Sequence, residues 1–178
     1  ILQELGERIV PGVSTGELDA WMELQIRSNK LASRMKGYCG YQHVSCMSVN
    51  DMVVHGVPSY DVILRDGDFI TVDVCVSFKG YCADMARQYF VGTVNETAKQ
   101  MASVAQEALD AGIRAAVPGK HVGDISVAVQ RVVDETGFGV VRDFAGHGIG
   151  KRMHEEPEIL NYGTAGTGPV LREGMTFA

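Results

Sequence analysis

The run Ile70-Thr71-Val72-Asp73-Val74-Cys75-Val76-Ser77-Phe78, followed by Lys79-Gly80, decides how this chain folds. Its residues alternate. Ile70, Val72, Val74, Val76 and Phe78 form one apolar face, and Thr71, Asp73, Cys75 and Ser77 form the other. A period of two along such a run marks a half-buried β-strand. Lys79-Gly80 predicts a two-residue hairpin turn into an antiparallel partner. That turn sets Phe78 opposite Tyr81 and Cys75 opposite Asp84. Asp73 shares the face of Cys75, so Asp73 and Asp84 become diagonal neighbours with Cα atoms roughly 7–8 Å apart. Two carboxylates that close repel unless a positive group sits between them. A divalent cation with oxygen ligands suits that place. The same pattern also fits two solvated surface aspartates, and the register of the turn separates the two readings.

Outward from the hairpin, the chain repeats itself at one offset of 107 residues. Val10-Pro11-Gly12 matches Val117-Pro118-Gly119, Gly16-Glu17-Leu18 matches Gly123-Asp124-Ile125, and Leu64-Arg65-Asp66-Gly67 matches Leu171-Arg172-Glu173-Gly174. Recurrent Pro-Gly turns alone could produce the first match. Three matches in one register imply duplicated halves, each built as helix, helix, then strands. Helices are expected over about 1–9, 15–30 with Thr15 as N-cap, 97–116, and 124–136 ending at Gly137. Strands are expected over much of 44–91 and 139–178. The result is an α+β domain with antiparallel pairing, read as one domain over residues 1–178. The repeat also projects an acidic residue, the counterpart of Asp73, to position 180.

The chain has 178 residues, 46% hydrophobic and 21% charged, ordinary for a globular domain. Its net charge of −6 argues against a nucleic-acid or anionic-membrane footprint. No apolar run approaches a membrane span, and no signal peptide opens the chain. Cys39, Cys46, Cys75 and Cys82 form no CxxC pair, so free thiols in a reducing cytoplasm are the simplest reading. Ile1 falls inside a helical pattern and Met175-Thr176-Phe177-Ala178 reads as a strand stopped partway, so both ends read as cut.

Three histidines stand in glycine- or proline-rich turns. They are His147 in Gly146-His147-Gly148-Ile149-Gly150, His154 ahead of Glu155-Glu156-Pro157, and His55 in His55-Gly56-Val57-Pro58. Glycine lets the backbone bend and leaves an imidazole accessible. Neutral imidazole is the commonest metal ligand. His43 and His121 have no such setting and read as structural or surface groups. Cys75 and Cys82 share the face of the aspartates and read as small packing residues.

These segments together resemble the type I methionine aminopeptidases over nearly the whole chain. The resemblance is carried by Phe144-Ala145-Gly146-His147-Gly148-Ile149-Gly150-Lys151-Arg152-Met153-His154, its continuation to Tyr162, and Ser48-Val49-Asn50-Asp51 leading to His55-Gly56-Val57-Pro58. It implies the pita-bread fold, with pseudo-twofold halves and helices on the outer face of an antiparallel sheet. It implies metal-dependent removal of the N-terminal methionine from nascent polypeptides. Asp73, Asp84 and His147 would bind two divalent ions of cobalt, manganese, iron or zinc, with Asp84 bridging. Two glutamates would complete the site, one at position 180 and one further on. Without them, the chain as it stands is expected to load metal weakly and to be inactive. His55 would contact the scissile amide and His154 would stabilise the tetrahedral intermediate. Tyr38, Tyr41, Cys46 and Met153 would line the pocket for the methionine side chain, with Met153 departing from the aromatic residue usual there. The resemblance further implies a cytoplasmic monomer, working at the ribosome, with no nucleic acid recognised directly and no membrane. Aminopeptidase P or prolidase shares the fold and the Asp pair, and a non-catalytic module on the same fold is a further alternative. The segments around His55 and His154 favour the methionine enzyme.

Overall fold

Two units divide the computed structural model, which describes residues 1–178. The first comprises Ile1–Glu96 with Lys151–Met153, the second Thr97–Gly150 with His154–Ala178.

In the first unit, α1 (Leu2–Leu5) runs into a 3-10 turn at Gly6–Arg8, and α2 (Thr15–Ser28) follows the Pro11-Gly12 turn. Strands β1 (Ala32–Ser33), β2 (Cys46–Val49), β3 (Phe69–Phe78) and β4 (Tyr81–Phe90) complete it. The helix cap lies one residue before the expected Thr15. Ser14 has extended backbone, its hydroxyl accepts the Glu17 N–H at 3.1 Å, and Glu17 accepts the Ser14 N–H at 2.8 Å. That is a reciprocal capping box. Thr15 instead is fully buried and bonds Ser59 through its hydroxyl.

The hairpin has the expected register, with Phe78 opposite Tyr81 and Cys75 opposite Asp84. Lys79 and Gly80 both take positive φ, 49° and 86°, as a type I′ turn requires. β4 pairs with β3 along its whole length, while β2 and β1 share the other edge of β3. The apolar face of β3 packs against α2: Ile70, Val72 and Val74 join Leu18, Met22 and Ile26 in one buried cluster. Burial fades toward the turn, where Phe78 is 53% exposed. The opposite face of the sheet therefore carries Asp73 and Asp84.

In the second unit, α3 (Glu96–Ala115) leads to α4 (Val122–Asp134), then β5 (Ala145–Gly148) and β6 (Glu155–Leu160). A smaller cluster of Val122, Ile125, Ile159 and Leu171 is buried there. Strands occupy less of 139–178 than expected. Residues 163–169 include Gly163, Gly166, Gly168 and Pro169, and Gly166 and Gly168 take positive φ, so this stretch turns instead of extending. His121 precedes α4 and His43 bonds Asp19, so both are structural as expected.

The duplication is present bond for bond. Gly12 N–H donates to Leu64 O at 2.8 Å, and Gly119 N–H to Leu171 O at 3.0 Å. Ser14 bridges Ile63 as His121 bridges Val170. Each pair is offset by 107. Gly16 and Gly123 are counterparts for a reason: a Cβ on Gly16 would stand 2.8 Å from Tyr60 N, and one on Gly123 would run into Thr164 O. No helix is long and apolar enough to cross a membrane.

Candidate functional site

In the first unit, Asp73 of β3 faces Cys46 on β2 and Ala86 on β4, and Asp84 faces Cys75. With Asp73 opposite Ala86 and Asp84 opposite Cys75, the two carboxyls are diagonal neighbours on one face of the sheet. Burial, and after it the charge of Asp84, push Asp73 from 3.8 up to about 7. Both aspartates are half-buried, so the reading as two solvated surface groups does not hold. Two half-buried carboxyls that disfavour each other's charge are a site where a divalent cation can relieve the repulsion. The donor chemistry therefore fits the metal that the sequence implies.

Beside this pair lie two of the expected pocket residues. Tyr41 Oη donates to Ser45 O at 2.8 Å, and Cys46 Sγ donates to Tyr41 Oη at 3.5 Å. Cys46 is buried, and burial is also the main reason its thiol is pushed up. Burial, then the hydrogen bond with Cys46, pushes Tyr41 well above the usual phenol range. Both groups are therefore neutral at physiological pH. Tyr38 sits in the 3-10 turn Tyr38–Gly40, half-exposed, and Met153 is half-buried in the short segment Lys151–Met153. Cys75, 1% exposed, packs as expected, and all four cysteines are free. His55 is exposed in left-handed backbone at φ 59°. That conformation is uncommon outside glycine. The next residue explains it in part: a Cβ on Gly56 would collide with Met47 O, so the chain must press against β2 there.

In the second unit, His147 and His154 come together. Their rings lie edge to face, 4.5 Å between centroids and 77° between planes. His147 Nδ1 stands 3.0 Å from Gly148 O. A carbonyl only accepts, so Nδ1 is the donor to Gly148 O, and Nε2 is the nitrogen through which the ring would bind a metal. The backbone of His147 is pinned by bonds in both directions with Ala178, at 2.7 and 2.9 Å. The sequence-predicted residues thus assemble as two sets, one in each unit. Neither set alone gathers three or more metal-holding side chains.

Sequence reasoning missed Asp19. This carboxylate is 6% exposed and accepts four hydrogen bonds, from His43, Val44 N–H, Ser45 N–H and Ser45 Oγ. Asp19, Met22 and Ile26 share one stripe of α2, so an acid on an apolar stripe was the available signal.

The family model for metallopeptidase family M24 matches residues 1–178. Methionine aminopeptidase from Clostridium acetobutylicum is 42% identical over 177 residues, covering 99% of this chain and 71% of that protein. The crystal structure of methionine aminopeptidase from Thermotoga maritima superposes with a TM-score of 0.97 at 40% identity, covering 99% of this chain and 71% of that one. Prolidase from Pyrococcus furiosus superposes with a TM-score of 0.82 at 24% identity, covering 99% of this chain and 50% of that one, a likeness of fold alone.

Proposed function

The chain belongs to metallopeptidase family M24 and, within it, to the methionine aminopeptidases, and from that premise we propose that Asp73, Asp84 and His147 hold its metal. The enzyme is a pita-bread metalloexopeptidase that removes the N-terminal methionine of proteins. It depends on divalent metal. Two ions, which Asp73, Asp84 and His147 would help to hold, are the finer reading. Mixed carboxylate and imidazole donors suit cobalt, manganese, iron or zinc.

Divalent cations supply Lewis acidity and an activated water near neutral pH. The residues do the rest. Asp73 and Asp84 would hold the metal as oxygen donors. His147 would bind through Nε2, since Gly148 O holds its other nitrogen. His154 donates a hydrogen bond to the oxygen that gains charge as the scissile carbonyl is attacked. His55 contacts the scissile amide and orients it. Tyr38, Tyr41, Cys46 and Met153 surround the methionine side chain, and a thioether in the wall suits a thioether in the substrate. We read residues 1–178 as one catalytic domain. The free thiols support a reducing cytoplasm. The setting we infer there is a monomer meeting nascent chains at the ribosome.

The observation that carries this reading is the register that sets Asp73 and Asp84 as diagonal neighbours on the same sheet face as Cys46. The test is release of methionine from Met-Ala-Ser by the whole protein, with an Xaa-Pro peptide as competitor. Activity should vanish with a chelator and return with divalent metal. Chelator-resistant cleavage, or preference for the Xaa-Pro peptide, would contradict it.

A further inference from the structure

We propose that Asp19 is a positioning residue for the methionine pocket, fixing Tyr41 and Cys46 through Ser45. The proposal rests on the reading that Tyr41 and Cys46 line that pocket. Asp19 Oδ1 accepts Val44 N–H at 3.1 Å, Ser45 N–H at 3.0 Å and Ser45 Oγ at 2.7 Å. Its Oδ2 stands 3.0 Å from His43 Nδ1. A buried carboxylate is costly unless its lone pairs are filled, so the four partners come as a set. All of them belong to consecutive residues 43–45, and this stretch of backbone is clamped to α2.

The network does not stop at the clamp. Ser45, fully buried, accepts the Tyr41 hydroxyl on its carbonyl at 2.8 Å, and Tyr41 Oη in turn accepts from Cys46 Sγ at 3.5 Å. Cys46 stands opposite Asp73 on β3. Asp19 is thus linked, bond by bond, to two pocket groups and to the strand pair that carries the carboxyls. The geometry has a chemical result. Tyr41 gives its only hydroxyl proton to Ser45, and Cys46 gives its thiol proton to Tyr41. Neither has a donor left for a substrate, and the pair presents a wall without donors, which suits a thioether. Loosening the clamp lets both groups move and frees those donors.

The test uses the full-length, metal-loaded enzyme with variants Asp19→Asn and Ser45→Ala, the latter removing one clamp bond while keeping the carbonyl that Tyr41 uses. Steady-state kinetics on Met-Ala-Ser and Leu-Ala-Ser give kcat and KM for each. Asp19→Asn should raise KM for Met-Ala-Ser and lower the Met-over-Leu ratio of kcat/KM by about 10-fold, the scale at which a pocket discriminates similar apolar side chains, with kcat within about 2-fold. Ser45→Ala should move both in the same direction by about 3-fold. Wild-type KM and selectivity in Ser45→Ala would overturn the proposal, including where Asp19→Asn does not fold. A fall in kcat with KM unchanged would overturn it too. Tyr41→Ala separates the two readings. If it alters selectivity while the Asp19 and Ser45 variants do not, only the positioning role falls. If it leaves selectivity unchanged, the pocket assignment falls and takes this proposal with it.

Discussion

The two halves of the molecule share a frame and differ in what is mounted on it. Gly12 and Gly119 make the same backbone bond to Leu64 and Leu171, and Ser14 and His121 make the same bridge to Ile63 and Val170. The first half carries a long hairpin with paired carboxyls, the second a short strand pair with paired imidazoles. Frame and chemistry have separated: the repeated positions hold backbone turns, and the diverged positions hold donors.

The comparison breaks most visibly at the donors. Asp84→Asn and His147→Ala lie in different halves, yet each should lower kcat/KM for Met-Ala-Ser by about 10³-fold or more, because each removes a proposed ligand of the metal. A variant that keeps near wild-type kcat/KM would remove its half from the site. His154→Ala should lower kcat by about 10²-fold while changing KM by less than about 3-fold, since its bond forms with charge that develops only in the transition state. Equal effects on both constants would assign His154 to substrate binding instead.

The frame should respond symmetrically. Gly16→Ala and Gly123→Ala each force a Cβ against backbone. Each should cost about 1–3 kcal/mol, read as a midpoint shift of roughly 2–4 °C per kcal/mol in thermal unfolding. If only one of them destabilises, the tight approach is not a shared requirement. The smallest effect sharpens the comparison. Ser14→Ala removes a side-chain cap worth about 1 kcal/mol. His121→Ala should cost less, because α4 has no side-chain cap bond and Asp124 instead accepts His121 N–H at 2.7 Å. Equal losses in urea unfolding would contradict that difference.

What was legible in the sequence was local or repeated. The register that pairs Cys75 with Asp84 follows from a two-residue loop, and Lys79-Gly80 can take the positive φ the turn needs. The duplication was legible because turn residues recur where backbone geometry demands them. The helix start was misplaced by one residue although Ser14-Thr15-Gly16-Glu17 contains the capping box, since both Ser14 and Thr15 suit a cap. The glycine-rich stretch before Leu171 falls within the expected strand region 139–178 and is mostly turn. The Asp19 network was illegible because its bonds join residues 24 to 26 positions apart, a distance over which no periodicity speaks. A lone acid on a buried helical stripe was its only trace.

The central claim is that carboxyls from the first half and an imidazole from the second serve one metal centre. The direct measurement is the metal content of the full-length protein, equilibrated with manganese or cobalt, for wild type, Asp84→Asn and His147→Ala. The account predicts two ions per chain in the wild type and loss of metal in both variants. Full metal content in His147→Ala, with loss confined to Asp84→Asn, would contradict it.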